Sequence, residues 1–131
     1  MGSDFAFLAR QKHLVLDGKD YFMDLLFFHR TLRRLVLIEL KLGEFEPQDK
    51  GQVELYLRWL EKYERAEGEE KPIALILCAE KSQETIELME LDNGSIHVAQ
   101  YLTKMPPKEV LEKKLLQAIA NAKEQLEQRE E

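Results

Sequence analysis

Cysteine is almost missing: Cys78 stands alone among 131 residues, which excludes an internal disulfide and any multi-cysteine zinc cage. It lies in the apolar run at residues 73–79, a setting for a small core residue in a reducing compartment, the cytoplasm. Long hydrophobic runs are missing too. None approaches the roughly eighteen residues of a membrane span, and no signal peptide is visible, so neither a membrane helix nor a membrane partner is expected. No phosphate-binding glycine loop, zinc-ligand cluster or Ser/His/Asp order is present. Positive charge is in deficit. A net charge of −6 argues against a stand-alone nucleic-acid binder, whose affinity rests on neutralising phosphates.

What is there is an ordinary globular composition, 44% apolar and 34% charged, on a length that suits one domain. The acids are unevenly placed. Glu61, Glu64, Glu67, Glu69 and Glu70 form one group, and Glu124, Glu127, Glu130 and Glu131 another. The first half is closer to balance and carries Arg10, Lys12, Arg30, Arg33 and Arg34. Residues 1–3 read as an expression scar, 4–123 as the folded domain, and 124–131 as an acidic tail too polar to order itself.

Periodicity gives a coarse order of elements. Residues 5–10 and 12–17 read as two strands or one bent strand, and Asp17-Gly18-Lys19 as a hairpin turn. Residues 20–29 and 34–42 are apolar on both faces, as central strands are. The stretch from Gly43 to Pro47 ends the sheet, and Asp49 caps a helix to about Ala66 with Val53, Tyr56, Leu57, Leu60 and Tyr63 on its core face. Residues 73–79 form a strand parallel to the one before the helix. Ser82 caps a short helix to about Leu91, Asn93-Gly94 turns, and residues 95–101 are a strand. A last helix starts at Pro106-Pro107 with an apolar stripe from Leu111 to Leu126.

Three charges break this apolar pattern. Asp24 lies inside the first central strand, and Glu39 and Lys41 lie inside the second. Strand side chains alternate, so Glu39 and Lys41 share a face roughly 7 Å apart. Burying such groups is costly unless they are paired or hold a metal, and chains that accept the cost do so at functional sites. A simpler assignment is an ion pair between Glu39 and Lys41 on a half-exposed strand, with Asp24 capping a turn.

The spacing Asp24, fourteen residues, then Glu39-Leu40-Lys41 resembles the core of the PD-(D/E)XK nuclease superfamily. The surrounding stretches are more specific: Phe5-Ala6-Phe7, Arg10-Gln11, Asp24-Leu25-Leu26-Phe27, His29-Arg30, Ile38-Glu39-Leu40-Lys41, Phe45-x-Pro47, Gly51-Gln52, Tyr56-Leu57 and Leu77-Cys78. They resemble the C-terminal domain of the YhcG family of bacterial proteins assigned as nucleases, from about Phe5 to about Tyr101. The resemblance implies a restriction-endonuclease-like α/β domain in three layers, a central mixed sheet flanked by helices. It implies Asp24 and Glu39 as ligands of Mg²⁺ or Mn²⁺, with the Leu40 carbonyl as a further ligand. Lys41 would orient the attacking water. Gln52-x-x-x-Tyr56 is similar to a QxxxY element that places its glutamine near such sites, which makes Gln52 a candidate site residue. A local reading of Gln52 is also open, since Asp49-x-x-Gln52 fits a capping box.

The functional expectation is a divalent-metal-dependent nuclease acting on DNA. The alternative is a non-catalytic interaction or assembly module that keeps the fold. Nucleic acid is the expected partner, bound weakly by this chain alone. A homodimer and an N-terminal region missing from this chain are expected as further sources of affinity. His29, five residues from Asp24, falls on the opposite face and reads as structural.

Overall fold

A computed structural model describes residues 4–80, 83–88, 94–100, 110, 113, 116 and 117. The expected terminal segments 1–3 and 124–131, the Ser82 cap, Asn93 and the stripe from Leu111 to Leu126 lie outside the described residues.

The element order is β1 (Phe5–Leu16), β2 (Lys19–His29), β3 (Arg34–Glu44), α1 (Pro47–Tyr63), β4 (Ile73–Glu80), α2 (Gln83–Leu88) and β5 (Ile96–Gln100). The strands form one sheet in chain order, antiparallel from β1 to β3 and parallel from β3 to β5. Residues 5–16 are thus one strand, joined to β2 by Asp17-Gly18, both with positive φ. That is the backbone a two-residue hairpin loop demands, and glycine adopts it without penalty.

β2 and β3 are central, as their two-faced apolar sequences require. Leu25, Phe27 and Leu37 are fully buried, and Ile38 nearly so. One face packs Leu26, Leu35, Leu37, Ala74 and Ile76 against Val53, Tyr56, Leu57 and Leu60 of α1. The other gathers Leu25, Phe27, Val36, Ile38 and Leu40, with Leu116 from a later helical segment packed on it. The middles of β2 and β3 are therefore buried on both faces. Each fully buried aliphatic or aromatic side chain contributes about 1.5–3 kcal/mol, so these two clusters dominate the fold's stability. Cys78 is a buried core residue of β4 whose Sγ–H faces the Ala99 carbonyl oxygen at 3.6 Å.

Three local expectations are corrected. β3 runs to Glu44, and Gly43 sits in a bulge, where the register to β4 slips between Lys41 and Glu44. Glycine marks bulges inside strands as readily as strand ends. α1 begins at Pro47 with Glu46 as its N-cap, so Asp49 is the third helical residue and not the cap. Proline at the first helical position has its φ already set and lacks an N–H that would go unpaired, which pulls the start forward. The helix ends at Tyr63, which is 61% exposed and packs beside Trp59 instead of entering the core.

Candidate active site

Asp24, Glu39 and Lys41 meet in one cavity of about 460 Å³, lined also by Gln11, Asp49, Gln52 and Tyr56. The cavity forms where β2 and β3 part. Their regular pairing runs from the turn at His29 and Arg34 inward to Leu25 and Ile38, and stops there. At the next level side chains take over the ladder. The Asp24 N–H donates to Glu39 Oε2 at 3.0 Å, and the Leu40 N–H donates to Asp24 Oδ2 at 2.8 Å. Asp24 is 3% exposed, the one buried charged residue among those described. An unpartnered carboxylate there would be costly, so these bonds make its burial tolerable.

A third bond comes from β1. Gln11 Nε2 donates to Asp24 Oδ1 at 3.0 Å. Gln11 has φ 51° in mid-strand, and the β1–β2 register passes from Arg10–Leu25 to Lys12–Met23 without a Gln11–Asp24 pair. Across this level the residues packing on the α1-side cluster change phase, from Tyr21 and Met23 to Leu26 and Phe28. A left-handed residue outside a turn costs on the order of 1 kcal/mol and persists where the surroundings enforce it. Here it directs an amide onto a buried carboxylate.

Lys41 reaches toward α1. Its Nζ lies 3.3 Å from Asp49 Oδ1, and Asp49 Oδ2 accepts the Glu46 N–H at 2.8 Å. Tyr56 lies beneath the carboxylates, with its hydroxyl donating to the Phe22 carbonyl at 3.4 Å and its ring edge-on to Tyr21. Burial, then the negative charges of Glu39 and Asp24, push its phenol up to about 12. Gln52 lines the cavity from an exposed position on α1, one turn before Tyr56. The capping box expected for it is instead built from Glu46 and Asp49, because the helix starts earlier.

The remaining candidates lie apart. His29 stacks edge-on to Phe5, on the face away from α1, and its Nδ1 accepts the Leu32 N–H. Arg30, Arg33 and Arg34 surround the turn at the far end of β2 and β3, roughly 16 Å along the strands from Asp24. Arg34 Nε donates to the Lys71 carbonyl there. Lys12 pairs with Glu64 and lies over Trp59. Gln11, Asp20 and Asp49 are polar cavity residues whose contacts the sequence did not reveal; Asp20 pairs with His13 at 2.6 Å. The only signal for Gln11 was a polar residue in a family-like stretch, and Asp49 read as a helix cap.

The donor set suits a hard divalent ion. Asp24 and Glu39 are adjacent oxygen donors, and no histidine or cysteine lines the cavity. Leu40 brings main chain to the site, since its side chain packs in the opposite cluster. Among the described residues no group of three or more His, Cys, Asp or Glu side chains could hold a metal ion. A two-carboxylate site open to water and phosphate is the pattern Mg²⁺ accepts, unlike a closed zinc cage.

The family model of the YhcG PDDEXK nuclease domain matches residues 1–117. The chain belongs to this family. Within the YhcG family, the chain is 46% identical over 81 residues to "Putative nuclease YhcG" of Escherichia coli (strain K12), a match covering 62% of the chain and 22% of that protein. The chain thus spans about a fifth of that relative's length. Among solved structures it is similar to a repair endonuclease from Pyrococcus abyssi, with a TM-score of 0.56 and 16% identity over 77% of this chain and 39% of that one. A second similar structure is an EndoMS–dsDNA2 complex, with a TM-score of 0.51 and 18% identity over 73% of this chain and 36% of that one. At these identities the likeness establishes the fold. It is a restriction-endonuclease-like mixed sheet with helices, as the sequence motifs implied. No helix among the described residues is long and apolar enough to cross a membrane.

Proposed function

We propose that this YhcG-family domain is a divalent-metal-dependent nuclease that hydrolyses phosphodiester bonds of DNA. The observation that carries the reading is the meeting of Asp24, Glu39 and Lys41 in one cavity, although they come from two strands. Asp24 and Glu39 hold Mg²⁺ or Mn²⁺, and the Leu40 carbonyl is a further ligand. When bound, the ion supplies Lewis acidity toward phosphoryl oxygens and a more acidic water. Asp24 is kept in place for this by Gln11 and the Leu40 N–H. Lys41 brings a cation to the same cavity, where it orients the attacking water and balances charge that develops on phosphorus-bound oxygen. Gln52 lines the same cavity from α1, near the three charged residues, and is the fourth site residue of this reading. DNA is favoured as substrate because one structural neighbour is a complex with double-stranded DNA and the other is a repair endonuclease.

A cleavage assay with Mg²⁺ or Mn²⁺ tests this on single-stranded, duplex and branched DNA, for this chain and for the full-length Escherichia coli relative. Metal-dependent cleavage that Glu39→Gln and Lys41→Ala both remove is the expected result. Metal-independent cleavage, or none from either protein on any substrate, would overturn the reading and leave a binding module on a nuclease fold.

A further inference from the structure

We propose that Asp49 is the positioning residue of Lys41: it holds the lysine ammonium at the cavity from the first turn of α1. The inference rests on the nuclease reading, in which Lys41 acts on the water and phosphate. Its observations concern another residue and another element.

Lys41 is poorly placed to hold itself still. It stands at the bulge of β3, immediately before the register slip toward Glu44, and Leu42, Gly43 and Glu44 are all exposed. A lysine stem carries about 2 kcal/mol of rotamer freedom, so an ammonium beside a bulge samples many positions unless something fixes it. Asp49 is well placed to do so. Its side chain is only 19% exposed, against 35% for Lys41, and the two approach to 3.3 Å.

Asp49 is itself fixed from the other side. Its second oxygen takes the Glu46 N–H at 2.8 Å, while its own N–H donates to the Glu46 carbonyl at 2.9 Å. Pro47 sets the backbone between them as the first helical residue. One carboxylate therefore joins the start of α1 to the lysine of β3. An ordinary surface ion pair gains little because both partners must be immobilised for it. Here one partner is immobilised already by the helix cap, so the pair restricts Lys41 at small additional cost. The first turn of α1 then sets where the ammonium sits relative to Asp24 and Glu39.

The test separates the two jobs of Asp49. Asp49→Asn still offers an amide oxygen to the Glu46 N–H, but its NH₂ group then faces Lys41 and cannot pair with it. Asp49→Glu restores a carboxylate and is the common partner at this capping-box position. Four readouts are compared: melting temperature, Mn²⁺ affinity, side-chain amine NMR of Lys41, and single-turnover cleavage. Asp49→Asn is expected to melt near the wild type and to bind Mn²⁺ equally well. Its Lys41 amine signal should lose its ordering, and cleavage should fall on the order of 10²-fold, as for a misplaced catalytic group. Asp49→Glu should recover most of the rate. On a Lys41→Ala background, Asp49→Asn should cost nothing more.

An unchanged Lys41 signal in Asp49→Asn would overturn the proposal, as would wild-type cleavage by that variant. A full further loss on the Lys41→Ala background would overturn it too, by showing that Asp49 acts other than through the lysine. If the wild type cleaves no DNA the nuclease reading fails, and the NMR comparison still decides whether Asp49 holds Lys41.

Discussion

The main-chain N–H of Asp24 donates to the carboxylate of Glu39, the residue that would face it across the sheet had the β2–β3 ladder continued. The bond replaces a lost ladder contact and at the same time draws the two acids together. Their like charges favour any cation placed between them, which is how a site can be partly assembled before an ion arrives.

Glu39→Gln keeps an oxygen that can accept the Asp24 N–H, so the fold should survive with a stability change of about 1 kcal/mol or less. Mn²⁺ binding measured by calorimetry should be lost. Equal Mn²⁺ affinity in variant and wild type would remove Glu39 from the ligand set.

Lys41→Ala should behave oppositely. Metal affinity should stay within a few-fold of wild type, while cleavage falls by about 10²–10⁴, the usual contribution of a charge-stabilising or proton-handling side chain. Loss of metal binding with little change in single-turnover rate would contradict the assignment.

Gln11 offers a test that separates backbone strain from contact. Gln11→Ala and Gln11→Gly both remove the donor to Asp24, so both should weaken Mn²⁺ affinity by about tenfold, as lost outer partners of metal ligands do. At φ 51° glycine is relaxed and alanine is not, so Gln11→Gly should be the more stable of the two by about 1 kcal/mol. Alanine matching or exceeding glycine in denaturant unfolding would show that the left-handed backbone relaxes when the glutamine is gone.

Tyr56 predicts a specific alkaline loss of stability. Its phenol is raised to about 12 in the folded domain from 10.0. In the unfolded chain Tyr56 therefore ionises first, and stability that is whole below pH 10 falls as the pH rises toward 12. The loss should approach about 3 kcal/mol. Unfolding curves between pH 9 and 12 check this against Tyr56→Phe, which cannot ionise and should show a shallower decline. Parallel declines would mean that other groups carry the alkaline transition.

Charge makes the last prediction. With net charge −6, this chain should bind DNA weakly, with a log–log salt slope shallower than about −3. Tight and steeply salt-dependent binding by this chain alone would show a basic surface that its composition conceals.

The three charges were legible as a motif resemblance and as breaks in apolar strands, and the register explains why they come together. The turn pairs His29 with Arg34, and counting five residues inward from each side places Asp24 across from Glu39. Alternation then puts Lys41 on the Glu39 face, and two strands apolar on both faces apart from these charges could only be central. The sequence by itself therefore determined the sheet's centre and the parallel return after α1, and its resemblance to a known motif pointed to the charges that the fold brings together. Tertiary structure alone decided how those charges are held. That Asp24 takes its amide donor from a left-handed Gln11 follows from a distortion shared by β1 and β2, and sequence spacing carries no record of it. That Lys41 finds Asp49 depends on how α1 docks against the sheet, which the packing of Val53, Tyr56, Leu57 and Leu60 sets. Periodicity names the faces that pack, but the ångström offset between two packed elements comes from the fit of all their side chains together.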